Sequence, residues 1–146
     1  MKKKPAKLPY EEFISIYGKV PRLCLDLIIE SEEGILLSLR NINPGKGLWH
    51  LPGGTILMGE TIEDVIQRIA YEETGLRVSD PKLTGIIEFP ESANLFYHSI
   101  SIAFRVKPNR GTLKGSFQGQ KLQYFKLLPE KMINEHKQFI LDHHIL

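Results

Sequence analysis

The spacing of apolar residues divides the chain into strand-like and helix-like segments. Residues 10–17 (YEEFISIY) fit a short helix with Phe13, Ile14 and Tyr17 turned inward, after which Pro21 resets the backbone. Two apolar runs follow, LCLDLIIE at 23–30 and ILLSLRN at 35–41. The turn-forming SEEG joins them, so a β-hairpin is expected. The segment NPGKGLWHLPGG (43–54) is dense in turn signals, with Trp49 and Leu51 as its apolar anchors, and reads as a structured loop. Within 61–74, Ile62, Val65, Ile66 and Ile69 recur at three- and four-residue steps and define one core-facing helical stripe. Thr61 with Asp64 three residues later resembles an N-terminal cap, and Gly75 stands just past the helix end. KLTGIIEF (82–89) and LFYHSISIAFRV (95–106), connected by PESAN, predict a second antiparallel pair. KLQYFKL (121–127) predicts a last strand, and LPEKM leads into a C-terminal helix. The order β-β-loop-α-β-β-β-α places the chain in the α+β class as a layered domain.

A chain of 146 residues supports one hydrophobic core, so a single domain over 1–146 is expected, with residues 1–8 as a solvated basic tail. The net charge of +2 is far from the concentrated basicity that tracks nucleic-acid phosphates, which excludes nucleic acid as an expected partner. No run reaches the roughly 18 to 20 apolar residues that span a bilayer, so no membrane partner is expected either. Cys24 is the one cysteine, lies in an apolar run and reads as a small buried hydrophobe; a reducing, cytoplasmic setting fits.

Two features carry chemistry. Asp26 interrupts an apolar strand, and a buried carboxylate needs a partner or a function. On the 61–74 helix, Arg68 and Glu72 stand four residues apart and can pair, Glu73 is turned about 100° from Glu72, and Glu60 can fold back toward them. Alone, this would be an exposed ion pair worth about 0.3 to 0.5 kcal/mol. Gly53 and Gly54 immediately upstream change the weighing, because a bare backbone can approach a ligand or offer a carbonyl to a cation. Carboxylates plus a carbonyl form the oxygen-rich surroundings that suit Mg²⁺ or Mn²⁺ with room for substrate phosphates.

The spacing Gly54, Glu60, Arg68, Glu72, Glu73, Gly75 and apolar Leu76 resembles the Nudix box, the signature of Nudix hydrolases. The order of elements is similar to the Nudix α/β/α sandwich with a mixed sheet over almost the whole chain. The resemblance implies divalent-metal-dependent cleavage of a nucleoside diphosphate linked to another moiety, with Glu72 and Glu73 as metal ligands and Glu60 supporting them or sharing a second metal. Arg68 would orient the glutamates. It also implies that a homodimer is open to the chain.

Ile69 departs from the box, which has a glutamate there that in many members binds metal or serves as base. Either the base is elsewhere, or the mechanism differs, or catalysis is lost. One branch, the GDP-mannose mannosyl hydrolases, also lacks that glutamate, and EEFISIY, LDLIIE, LLSLRN and PGKGLWHLPGG resemble it. By that resemblance Asp26 and Arg40 contact nucleotide or sugar, the Gly53 carbonyl and Glu73 bind Mg²⁺, and Arg68 helps stabilise the leaving diphosphate. Thr55 in place of that branch's arginine, and GSFQGQK without its loop histidine, depart from it.

Among the remaining residues, Lys46 and Arg40 are candidate phosphate contacts, and His50 beside Trp49 is a candidate substrate contact. Glu88 and Glu91 are candidates for a recruited base or metal ligand. His98 is expected to fill a half-buried strand position, and His143 and His144 a solvated helix end. A Nudix-fold domain that binds or senses a nucleotide without turnover is the alternative from another class.

Overall fold

The structure, a computed structural model, describes residues 5–43, 45–90, 98–117, 119 and 121–146. In chain order the elements are α1 (Tyr10–Tyr17), β1 (Arg22–Ser31), β2 (Gly34–Leu39), β3 (Trp49–His50), β4 (Gly53–Thr55), α2 (Ile62–Thr74), β5 (Leu76–Phe89), β6 (Ser99–Gly111), β7 (Lys121–Phe125) and α3 (Asn134–Asp142).

β1 organises the sheet. One edge pairs in parallel with β6, from Arg22 opposite Ser99 to Ile29 opposite Val106. Its other edge is shared: β4 lies antiparallel against Cys24, Leu25 and Asp26, and β2 joins only at Glu30 and Ser31. The expected hairpin therefore forms at its turn alone, after which β2 diverges to pair with β3 and β7. β5 closes the far side antiparallel to β6.

Strand alternation then sorts β1 between two cores. Leu25, Leu27 and Ile29 pack with Val65, Ile66, Ile69 and Ala70 of α2. Ile28 faces the other way, into a cluster with Leu51, Met132, Phe139 and Ile140 of the α3 side. Helices thus cover both faces of a mixed sheet, the α/β/α arrangement expected from the sequence.

The differences have local causes. The 43–54 segment holds β3 and β4, which at two and three residues are too short to show a period. β5 begins at Leu76 rather than 82, because Ser79, Asp80 and Pro81, which look like a turn, form an irregularity in an edge strand. β6 runs on to Gly111, and Pro108 is tolerated because β1 pairing stops at Val106. Residues 95–97 of the expected strand lie outside the described residues. Ile62 is 39% exposed and leaves the core stripe, whereas Glu73 and Thr74 at the opposite end of α2 are buried.

α2 is fixed at both ends. The Thr61 hydroxyl accepts from the Asp64 N–H at 3.1 Å while the Asp64 carboxylate accepts from the Thr61 N–H at 3.1 Å, a reciprocal capping box. Gly75 ends it at φ 78°, in the left-handed region, where a Cβ would also fall 2.3 Å from the Thr112 carbonyl oxygen. Thr61→Ala is expected to cost about 1 kcal/mol, read as a lower urea midpoint with an unchanged slope.

Candidate active site

Arg68 is the hub on which Glu60, just ahead of α2, and Glu72, near its end, converge. Its Nε donates to Glu60 Oε2 at 2.7 Å, Nη2 donates to Glu60 Oε1 and to the Thr55 carbonyl, both at 2.8 Å, and Nη1 donates to Glu72 Oε2 at 3.2 Å. The Glu60 side chain is 1% exposed and that of Arg68 18%, so this bidentate pair is partly sheltered from solvent rather than a surface contact. Burial by itself would raise the Glu60 pKa; hydrogen bonds from Arg68 and the Leu57 N–H outweigh it and hold the carboxyl below its ordinary 4.5. Glu60, expected as a metal ligand or a support, has both oxygens engaged by Arg68 and Leu57.

Glu72 keeps a different balance. Arg68 and Lys7 both reach Oε2, each at 3.2 Å, and the carboxylate opens toward solvent. Lys7 was expected in a solvated tail and instead sits on this carboxylate. Glu73, 8% exposed, accepts from the Ser116 hydroxyl at 2.7 Å. Burial pushes its pKa up, against the opposing pull of Ser116, Lys7 and Arg40. Arg40 is therefore within electrostatic reach of Glu73, as it is of His50.

β4 supplies the carbonyl. The ladder with β1 uses the Pro52 carbonyl, which accepts from Leu27 N–H, and the Ile56 N–H, which donates to Leu23. Alternation turns the carbonyls of Gly53 and Thr55 to the opposite edge, and that of Thr55 meets Arg68. The Gly53 carbonyl thus lies on the same strand edge as that of Thr55, two residues along β4. Gly53 must lack a side chain, since a Cβ there would lie 2.0 Å from Asp26 Oδ1.

Ile69 faces inward at 1% exposure, its Cδ1 3.7 Å from where a Cβ on Gly54 would be. It belongs to the apolar core beneath the site, not to its polar rim. Among the described residues no three His, Cys, Asp or Glu side chains form a ready-made cation cluster. Two carboxylates and a carbonyl nonetheless suit a hard cation that keeps several waters and takes oxygens from substrate.

The other candidates are dispersed. Asp26, 7% exposed, faces α3, where Oδ2 is 3.2 Å from His136 Nε2. His50 is buried: Nδ1 donates to the Leu51 carbonyl at 2.7 Å, Nε2 has no hydrogen-bond partner among the described residues, and burial lowers its pKa to about 4. Lys46 is exposed, and Arg40 half-buried. Glu88 is exposed on β5, and Glu91 lies outside the described residues. His98 is half-buried just ahead of β6, its carbonyl accepting from Arg22 N–H. His143 and His144 are exposed at the end of α3. Sequence reasoning missed Ser116 and His136. For His136 a signal existed, since it shares a three- and four-residue face with Phe139 and Ile140 and Asp26 lacked a partner.

The NUDIX domain family matches residues 20–142, and the chain belongs to that family. With the Nudix fold and the Arg68-centred carboxylates of its signature helix, it is a Nudix-type hydrolase. It is 37% identical over 125 residues to the ADP-ribose pyrophosphatase of Methanocaldococcus jannaschii, covering 84% of this chain and 73% of that protein. It is 32% identical over 129 residues to the low-salt glycan biosynthesis protein Agl8 of Haloferax volcanii, covering 85% and 83%. The fold matches a MutT NUDIX hydrolase from Burkholderia pseudomallei with a TM-score of 0.76 at 23% identity, over 84% of this chain and 98% of that one. It also matches a bifunctional NMN adenylyltransferase/ADP ribose pyrophosphatase from Francisella tularensis, solved with AMP and a Mn ion, with a TM-score of 0.70 at 21% identity, over 90% and 46%. Nudix hydrolases act on nucleoside diphosphate derivatives and use divalent metals. No helix among the described residues is long and apolar enough to cross a membrane.

Two substitutions test this geometry. Glu60→Gln is expected to cost about 2 kcal/mol at pH 7, by loss of charge-assisted bonds to a half-buried guanidinium. Because the folded-state pKa of Glu60 lies below its ordinary 4.5, that contribution is complete above this value and is lost as pH falls through the lower one. Urea titrations should show the gap between wild type and variant closing in acid. Ile69→Glu is expected to destabilise by about 3 kcal/mol or more without metal, since it places a carboxylate in an apolar core. Thermal melts in chelator check this, and a variant as stable as wild type would place residue 69 at the polar rim.

Proposed function

We propose that the chain hydrolyses a nucleoside diphosphate linked to another moiety, with one Mg²⁺ or Mn²⁺ held by the Gly53 carbonyl, Glu73 and Glu72. The observation that carries this is the Arg68 fork, which ties Glu72 to the Thr55 carbonyl of β4, with the Gly53 carbonyl on the same strand edge as that of Thr55. When bound, the cation supplies neutralisation of phosphate charge and orientation of the leaving group. Arg68 holds Glu72 and the β4 edge in register, and Glu60 is read as its clamp rather than as a metal ligand. Arg40 adds positive charge on the side of Glu73, where a diphosphate requires it, and exposed Lys46 follows it in the loop toward β3. Glu72 keeps Oε1 clear of Arg68 and Lys7, both of which reach Oε2, and is the carboxylate proposed to take the proton of the attacking water.

A nucleotide sugar is the narrower substrate class proposed. Similarity to a glycan biosynthesis protein supports it, while similarity to an ADP-ribose pyrophosphatase supports attack at phosphorus. Ile69 favours a second reading, a domain that binds or senses a nucleotide without turnover, because the carboxylate of the full box is replaced by a core residue.

Turnover of a panel of nucleotide sugars, ADP-ribose, dinucleoside polyphosphates and nucleoside triphosphates, with Mg²⁺, Mn²⁺ or chelator, separates these readings. Metal-dependent release of a nucleoside monophosphate, reduced about 100-fold or more in kcat by Glu73→Gln, is the expected result. Nucleoside diphosphate plus free sugar would move the attack to carbon. Binding without turnover across the panel would establish the sensing domain.

A further inference from the structure

The strand that presents Gly53 is held from behind by α3, on the face opposite the carboxylates. Trp49 N–H donates to the Lys131 carbonyl and Ile133 N–H donates to the Trp49 carbonyl, both at 2.9 Å, which stitches the approach to α3 onto β3. Leu51 N–H donates to His136 Nδ1 at 3.1 Å. The Pro52 carbonyl accepts from Leu27 at 2.8 Å. By alternation the Gly53 carbonyl lies on the edge opposite to that of Pro52.

His136 grips β1 and the link between β3 and β4. A ring nitrogen that accepts carries no proton, so Nδ1 is bare and the proton sits on Nε2. That N–H donates to Asp26 Oδ2 at 3.2 Å. The other oxygen, Oδ1, rests against Gly53 so closely that no Cβ would fit there. One buried imidazole therefore joins Asp26 of β1 to Leu51 of the ribbon, and Asp26 in turn sets how near Gly53 lies. Phe89 closes the pocket with its ring edge-on to His136 at 5.5 Å.

We propose that His136 is a positioning residue for the cation: through Asp26 and Leu51 it fixes the Gly53 carbonyl at the reach that metal binding requires. This rests on the assignment of the Gly53 carbonyl and Glu73 as cation ligands. Removing the imidazole leaves a buried carboxylate and a buried N–H without partners, and the ribbon must shift or admit water to satisfy them. Groups one step behind metal ligands typically tune affinity by about 10- to 100-fold.

The test measures Mn²⁺ binding to the full chain from the paramagnetic resonance signal of free Mn²⁺, with thermal melts recorded on the same samples. His136→Phe is expected to weaken Mn²⁺ binding about 10-fold. His136→Asn keeps an acceptor near the Nδ1 position, and His136→Gln keeps a donor near the Nε2 position, so each should lose less than His136→Phe. A purely structural role would lower the melting temperature and leave Mn²⁺ affinity in the folded protein unchanged. That result overturns the proposal. Should His136→Phe fail to fold, wild-type affinity in both of the other variants overturns it equally. Glu73→Gln separates the two levels of inference. If it weakens binding and the His136 variants do not, only the positioning role falls. If wild type binds no Mn²⁺, or Glu73→Gln binds as tightly as wild type, the cation assignment falls and takes the positioning role with it.

Discussion

The Arg68 guanidinium is the constraint on which the site depends. Its fork spans three parts of the chain: the edge of β4 through Thr55, the approach to α2 through Glu60, and the last turns of α2 through Glu72. Arginine alone among the side chains combines five donors with a charge that is not lost on burial. A lysine could meet one of these acceptors well but not all of them. The fork is affordable in a half-buried place because the Glu60 carboxylate faces it with both oxygens and Leu57 N–H supports that carboxylate in turn.

A second constraint acts on the other face of the sheet. β1 sends Leu25 and Leu27 into the core under α2 and sends Asp26 toward α3, so one strand touches both helical layers. Asp26 meets His136 there, and Gly53 lies opposite it across the ladder. The carbonyl of Gly53 is consequently set by two independent clamps, Arg68 at Thr55 on one side and His136 at Leu51 on the other. A carbonyl held between two fixed points needs little reorganisation when it acquires a partner, which is the physical content of preorganisation.

Much of this was legible in the sequence where periodicity or fixed spacing carries it. α2 combines an apolar stripe, a capping pair and a terminal glycine, and the relation of Arg68 to Glu72 follows from four-residue spacing alone. Short strands are different, since two residues at β3 and three at β4 cannot establish a period, and the parallel pairing of β1 with β6 is a long-range choice that no local pattern encodes. Contacts across long separations were invisible for the same reason. His136 lies 110 residues from Asp26, and Ser116 lies 43 from Glu73. Asp26 shows the limit well: the sequence marks it as a carboxylate in need of a partner without saying which residue provides one.

Ile69 is where the local and the chemical requirements meet. It precedes Glu73 by one helical turn, so the two share a face, with apolar Ile69 beneath the buried carboxylate. A glutamate at 69 would set a second negative charge beside Glu73, a pair that repels unless positive charge is brought between the members. The isoleucine avoids that repulsion, and the Ser116 hydroxyl holds Glu73 in its buried place, with Lys7 and Arg40 adding positive charge. Neither clamp on the Gly53 strand involves residue 69, so the geometry survives its change to hydrocarbon. What isoleucine lacks, relative to the full box, is a carboxylate.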